Sequence, residues 1–223
     1  MKATLAIARK DLLVELRTKE SVPAMALFAV TTFVIFHFAL DRDRLEGGLA
    51  AGVLWVTLLF AAILAINRLF VAEREQGGFD GILMAPIERT SLLAAKAGAL
   101  LVYLVALEVI ALPVFALFFI DSGFWEALPR LALVTLLADV GLAVVGAMLA
   151  SIAIHTRARD LLLPILLLPL TVPAVIAAAA ATKPLLSVPP DTGGVAKWLA
   201  VLALYDAVFG LLAYALFDYL MED

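Results

Sequence analysis

Long apolar runs, separated by short polar connections, dominate the pattern of this chain. A helix needs about 20 largely apolar residues to cross the hydrocarbon core of a membrane, and six runs reach that length. They cover Ser21–Leu40, Leu49–Asn67, Leu92–Ile120, Leu131–Ile154, Leu161–Thr182 and Val195–Phe217. Their apolar residues are continuous and do not alternate with polar ones, unlike the strands of a membrane barrel. The sequence therefore predicts an all-α integral membrane protein with six transmembrane helices, built as one transmembrane domain over residues 1–223.

The first 20 residues carry a different, amphipathic pattern. Apolar residues recur there at helical spacing, and basic residues flank the stripe that they form. The stripe consists of Leu5, Ala8, Leu12, Leu13 and Leu16, and the flanking charges are Lys2, Arg9, Lys10, Arg17 and Lys19. We expect residues 1–20 to form an interfacial helix at the surface of the lipid bilayer. Whether it does more than anchor the chain stays open at this point.

The distribution of Lys and Arg predicts the topology. Of the 16 Lys and Arg residues, eleven precede the first span or lie in the second-to-third and fourth-to-fifth connections, and the other five lie on the opposite side. The positive-inside rule places the richer side in the cytoplasm. Both termini are therefore expected to be cytoplasmic.

Composition excludes several classes of function. Hydrophobic residues make up 65% of the 223 residues and charged residues only 16%, too apolar for a soluble domain of this size. The net charge of −4 argues against a nucleic-acid partner, which requires a basic face. Cysteine is absent, which excludes disulfides and thiolate catalysis. The two histidines, His37 and His155, are predicted on opposite membrane faces, so no multi-histidine metal site or shared haem iron is expected.

The longest polar stretch, residues 68–91, has the features of a docking segment. The Gly77–Gly78 pair interrupts it, and a short helix with one apolar face follows and ends at a proline. That face consists of Phe79, Ile82 and Leu83, the proline is Pro86, and the surrounding charges are Glu73, Arg74, Glu75, Asp80, Glu88 and Arg89. Such a helix suits a groove on a cytoplasmic partner. An ordinary solvated loop is the alternative interpretation.

Three carboxyl groups lie within predicted spans: Glu108 in the third, Asp139 in the fourth and Asp206 in the sixth. A charged side chain at a helix centre costs about 2.5–3.5 kcal/mol on insertion scales, so each is expected to face another helix or water. A polar pathway, a conformational latch and plain interhelical hydrogen bonding are all compatible with that placement.

The fifth span contains Pro164, Pro169 and Pro173. Each proline removes a backbone hydrogen-bond donor, so this helix is predicted to be kinked or partly broken. The chain has no G-x-x-x-x-G-K-[ST] phosphate loop and no polar stretch of domain length. If ATP drives this protein, another chain must bind the nucleotide.

Several of these segments resemble one known family. They are Leu54-Trp55-Val56 leading to Asn67-Arg68-Leu69-Phe70, the run from Glu73 to Pro86 followed by Lys96, and Leu167-Leu168-Pro169-Leu170-Thr171-Val172-Pro173. Together they resemble the B-type permease subunit of the haem exporter in bacterial cytochrome c maturation. That family is similar to the wider group of type-2 ABC exporters, and the resemblance covers essentially the whole chain.

The resemblance implies a location, a set of partners and a role for the docking segment. The chain would lie in the bacterial cytoplasmic (inner) membrane, pair with a separate ABC ATPase, and act with a haem-handling membrane subunit, a small accessory membrane subunit and a periplasmic haem chaperone. ATP and haem would be bound through those partners, with no cofactor held by this chain. Glu73, Arg74, Gly77, Asp80 and Pro86 would occupy the ATPase-coupling region, to which the apolar face and Arg89 belong by position.

Other functions remain to be separated from this one. The chain could be a type-2 exporter subunit for a lipid, glycan or drug. It could also be a scaffold that conveys ATPase motion to haem-handling partners without translocating anything. A membrane enzyme is disfavoured, because no nucleophile–base pair or metal cluster is evident in the sequence.

Overall fold

Seven α-helices make up the part of the chain that the computed structural model describes, which is residues 2–42, 44–70, 89–120, 123–153, 159–188 and 193–220. They are α1 (Lys2–Thr18), α2 (Ser21–Leu40), α3 (Gly47–Arg68), α4 (Arg89–Phe119), α5 (Phe124–Ala153), α6 (Arg159–Leu185) and α7 (Val195–Leu220). Helices α2 to α7 are long and apolar enough to span a membrane. The predicted all-α, six-span membrane fold is confirmed, and the first span has the predicted ends.

The end of α3 meets the start of α2 through Arg68 and Glu20, and the start of α3 meets the end of α6 through Gly47 and Leu186, so the spans alternate in direction and the bundle has two ends. The basic end carries α1, the end of α3, the starts of α4 and α6, and the end of α7. At the opposite end, turns with left-handed residues reverse the chain: Asp41 (φ 47°) ends α2 and Gly47 (φ 53°) begins α3. Main-chain bonds tie that end together, from Leu45 N–H to Phe119 O (3.0 Å) and from Gly47 N–H to Leu186 O (2.9 Å).

Burial separates the helices into a centre and a periphery. Most span residues of α3 and α5 are buried, whereas only 17% of those of α2 and of α7 are. Helix α5 packs against α4, α6 and α7, so it lies at the centre of the bundle. The exposed apolar residues of the outer helices suit contact with lipid or with another membrane subunit, because only such surroundings cover apolar surface at that depth.

Helix α1 departs from the simple amphipathic prediction. The stripe divides in the structure: Leu12 packs against the bundle core, whereas Leu5 and Leu16 are 72% and 70% exposed. The side of α1 that faces the bundle carries polar residues, among them the buried Asp11. The reason is a set of polar contacts to the other helices, described below.

Helix α6 is continuous through Pro164, Pro169 and Pro173, so it is not broken at any of them. The Thr171 hydroxyl donates to the Leu167 carbonyl (2.9 Å), so this buried side chain is satisfied within its own helix. The predicted kink at these residues stays a prediction.

Candidate functional site

Most of the predicted coupling residues are outside the described residues. These are Glu73, Arg74, Gly77, Phe79, Asp80, Ile82, Leu83 and Pro86. Arg89 is described and is the first residue of α4. The structure therefore shows the two ends of the coupling segment, Phe70 after α3 and Arg89 at the start of α4, and how each end is held.

One lysine holds these ends together. Lys96 lies two turns into α4 and is 1% exposed. Its ammonium nitrogen is 3.0 Å from the carbonyl oxygen of Leu69 and 4.8 Å from the ring centroid of Phe70. A carbonyl and an aromatic face both attract a cation, the second through its quadrupole. Lys96 therefore joins α4 directly to the last residues before the coupling segment.

The same ammonium group binds α1. The Lys96 nitrogen is 3.0 Å from Asp11 Oδ2, and the other Asp11 oxygen is 2.9 Å from Lys10 Nζ. The Tyr103 hydroxyl, two turns further along α4, donates to the main-chain carbonyl of Asp11 (3.2 Å). Burying a lysine side chain this deeply requires such polar partners. We call Asp11, Lys96, Leu69, Phe70 and Tyr103 the Lys96 cluster.

Polar contacts also join α1 to α2 and α2 to α3. The Glu15 carboxylate accepts hydrogen bonds from the backbone N–H groups of Ser21 (2.9 Å) and Val22 (2.8 Å) at the start of α2. A carboxylate there satisfies free N–H groups and complements the helix dipole. Arg68 at the end of α3 donates to the carbonyl of Glu20 (3.0 Å). The basic end is therefore held by a polar framework across four helices.

Two of the three intramembrane carboxyl groups come together. Glu108 of α4 and Asp139 of α5 are 8% and 4% exposed, and their side chains interact, with Thr135 of α5 also in contact with Glu108. One oxygen of each, Glu108 Oε1 and Asp139 Oδ2, has no hydrogen-bond partner among the described residues. The pair thus lies buried between two helices.

Asp206 lies on another side of α5. A side-chain carbon at Gly141 would be 2.6 Å from Asp206 Oδ1 and 2.7 Å from the Tyr205 ring, so only glycine allows α7 to approach this closely. Asp139 and Gly141 are two positions apart and so point about 200° apart around the helix. The structure therefore separates Asp206 from the Glu108–Asp139 pair.

The opposite end contains an open cavity of about 420 Å³ between the connections of α2–α3, α4–α5 and α6–α7. Arg44, Phe119, Phe124 and Glu126 contribute to its lining. His37 lies nearby among aromatic rings, 6.0 Å from the Phe119 ring between centroids. His155 lies outside the described residues.

Comparison with known families shows which family the chain belongs to. The family model described as "CcmB protein" matches residues 2–216, which runs from α1 into the last turns of α7. The chain belongs to the CcmB protein family. The resemblance drawn from the Leu54–Phe70 and Leu167–Pro173 segments is thereby confirmed.

Curated relatives agree with membership of the CcmB family. A protein of Bradyrhizobium diazoefficiens named "Heme exporter protein B" is 33% identical over 221 residues, covering 96% of each chain. Proteins of the same name from Paracoccus denitrificans and Pseudomonas aeruginosa are 34% identical over 163 residues and 29% identical over 200 residues. Those matches cover 72% of both chains for the first, and 89% of this chain and 88% of the relative for the second.

The Lys96 cluster was not predicted from the sequence, in which Lys96 contributes only to the basic charge near the second-to-third connection and to the family resemblance. The structure places Lys96 inside α4 and almost fully buried. A signal was present in the sequence, since Lys96 follows four apolar residues, Leu92 to Ala95, and precedes a long apolar run. An isolated lysine in such a run requires an anionic partner. Nothing in the sequence identified Asp11 as that partner.

Proposed function

We propose that this chain is the membrane subunit of a haem exporter that works with a separate ATPase. The observation that carries the proposal is CcmB family membership over residues 2–216, together with six helices able to span a membrane. Relatives named for haem export cover nearly the whole chain, so the proposal concerns the entire domain of residues 1–223 and not one segment of it.

Residues 68–91 are the segment through which we propose that the ATPase acts. The charged and apolar side chains of this segment suit a groove on the partner, and Glu73, Arg74, Gly77, Asp80 and Pro86 are the residues that the family resemblance assigns to coupling. The structure supports this by the way it holds both ends of the segment. Phe70 is 1% exposed and lies against Lys96 of α4. Movement of the segment would therefore be transmitted to α3 and α4.

The remaining partners follow from the proposed role. We propose that the chain lies in the bacterial inner membrane with both termini in the cytoplasm, because eleven of its 16 Lys and Arg residues precede the first predicted span or belong to the second-to-third and fourth-to-fifth connections. A haem-handling membrane subunit, a small accessory subunit and a periplasmic haem chaperone would complete the system. ATP hydrolysis would be the task of the partner ATPase, and this chain would be non-enzymatic.

The packing of the bundle interior constrains where haem could pass. Glu108 and Asp139 are buried between α4 and α5, and large side chains such as Phe33, Trp55 and Phe115 are fully buried in the core of the described residues. We therefore place any haem path at the surface of this chain, against a partner. In this account the carboxyl pair joins two helices and does not line an open channel.

Isolation of the complex tests the proposal. The chain is purified in mild detergent from its native membrane, its partners are identified, and a visible absorption spectrum is recorded. Recovery of an ATPase and a haem-bearing membrane subunit is the expected result. An ATPase without haem or a haem-binding subunit would favour an exporter of a lipid, glycan or drug. Recovery of no ATPase would contradict both forms of the proposal.

A further inference from the structure

We propose that Lys96 is the positioning residue of the coupling region, making α1, the end of α3 and the start of α4 move as one unit. The proposal deepens the proposed function, on which it rests. It assigns to α1 a part in transmitting ATPase motion, beyond anchoring the chain at the membrane surface.

Lys96 joins the start of α4 to the last residues before the coupling segment. The segment leaves α3 at Phe70 and enters α4 at Arg89. Lys96 is seven residues beyond Arg89, yet its ammonium group contacts the Leu69 carbonyl (3.0 Å) and the Phe70 ring (4.8 Å). Both ends of the segment are therefore attached to the same part of α4. A force exerted at either end of the segment would therefore reach the start of α4.

Helix α1 is attached to the same lysine. Asp11 supplies the carboxylate to Lys96 (3.0 Å) and its carbonyl accepts the Tyr103 hydroxyl (3.2 Å). These contacts are buried, with Asp11 8% and Lys96 1% exposed. Separating them would leave an unpaired charge in an apolar environment, which is costly. Helix α1 and the first half of α4 are thereby held in one geometry.

Anchoring α1 to the membrane does not by itself require these polar contacts. An anchor is satisfied by apolar side chains that enter the lipid, and Leu5, Leu13 and Leu16 of α1 are exposed to serve that purpose. Asp11 and Glu15 instead face the bundle and bind other helices. Helix α1 therefore has two separate faces, one for the membrane and one that fixes its position relative to the coupling segment.

A distance measurement tests the positioning directly. The chain lacks cysteine, so spin labels at Leu16→Cys and Ala94→Cys, both exposed, report only the separation of α1 and α4. We expect a narrow distance distribution in the otherwise unchanged chain, a broadened one in Lys96→Met, and recovery in Lys96→Arg. An unchanged distribution in Lys96→Met overturns the proposal. If that variant does not fold, Asp11→Asn, which leaves the Leu69 contact in place, is expected to broaden the distribution, and no change would equally overturn it.

An activity measurement separates positioning from simple loss of stability. In the reconstituted complex, Lys96→Met is expected to keep ATP hydrolysis within about twofold while haem delivered per ATP falls roughly tenfold, within the usual range of coupling between sites. The matched control is Thr182→Val, which breaks the buried Trp55–Thr182 hydrogen bond (2.9 Å) at the opposite end and should leave that ratio unchanged. An unchanged ratio in Lys96→Met overturns the proposal. Absence of ATP-dependent haem delivery in the parent complex would instead refute the proposed function, and the label distances would still decide the role of Lys96.

Discussion

The phenolic hydroxyl of Tyr205 in α7 donates a hydrogen bond of 3.0 Å to the main-chain carbonyl of Leu170 in α6. Leu170 lies three residues before Pro173, where the proline ring disturbs the backbone ladder. A side-chain donor from a neighbouring helix is one means by which a membrane helix accommodates proline. The hydrogen bond between α6 and α7 is thus made beside a proline, Pro173, which the α6 sequence alone would suggest only disrupts the helix.

Tyr205→Phe tests this contact. Removing only the hydroxyl should weaken the folded bundle by about 1 kcal/mol, a usual value for an interhelical hydrogen bond in a membrane. The measurement is the midpoint of thermal unfolding in detergent. Tyr214→Phe, at an exposed position of the same helix, is the control and should not change the midpoint. Equal midpoints for all three proteins would contradict the structural role of Tyr205.

Gly141→Ala should destabilise the bundle by about 1–3 kcal/mol, as other overpacked sites are. The new methyl group would be 2.6 Å from Asp206 Oδ1 and 2.7 Å from the Tyr205 ring, so α7 would have to move. Gly52→Ala is a matched control, because nothing lies within 4 Å of a side-chain carbon there. It should be neutral or slightly stabilising, since alanine favours a helix. Resistance to proteolysis in detergent compares them, and a Gly141→Ala protein as resistant as Gly52→Ala would refute the close contact.

Glu108→Gln and Glu108→Leu distinguish an interhelical hydrogen bond from a charged pathway. The amide is nearly the same shape as the carboxyl group and can still bond to Asp139 or Thr135, so Glu108→Gln should retain both stability and haem export. Glu108→Leu removes the polar contact and should lower the free energy of unfolding by about 1 kcal/mol. Loss of export in a stable Glu108→Gln protein would contradict the structural interpretation and indicate a polar pathway.

Charge reversal at Arg74 or Asp80 tests the proposed coupling segment. Each reversal should uncouple ATP hydrolysis from haem export while membrane insertion stays intact, because the partner surface would meet the wrong charge. Arg42→Glu, at the opposite end of the bundle, is the control. Normal cytochrome c maturation in the Arg74 and Asp80 variants would refute the coupling assignment.

The spans could be predicted from the sequence because burial in lipid imposes one simple rule on a long apolar run. Ser21 and Leu40 were predicted as the ends of the first span and are the ends of α2. The Glu108–Asp139 contact could be predicted only in part. The cost of a membrane carboxyl group shows that each avoids lipid, but not that these two meet or that Asp206 does not join them.

The framework of the basic end could not be predicted, because it depends on contacts between distant residues. The positive-inside rule counts Lys96 as a charge and does not indicate its burial. Asp11 and Lys96 are 85 positions apart in sequence and 3.0 Å apart in space. The amphipathic pattern of α1 likewise indicated a membrane-facing stripe, but it did not reveal that Asp11 and Glu15 on the inward side of α1 bind other helices.

Reconstitution of haem transfer tests the central claim most directly. The purified complex is placed in lipid vesicles with and without this chain, and haem arriving on the periplasmic chaperone is followed by its absorption as ATP is supplied. We expect haem transfer to require both ATP hydrolysis and the presence of this chain. Transfer at an equal rate without the chain, or transfer indifferent to ATP, would contradict it.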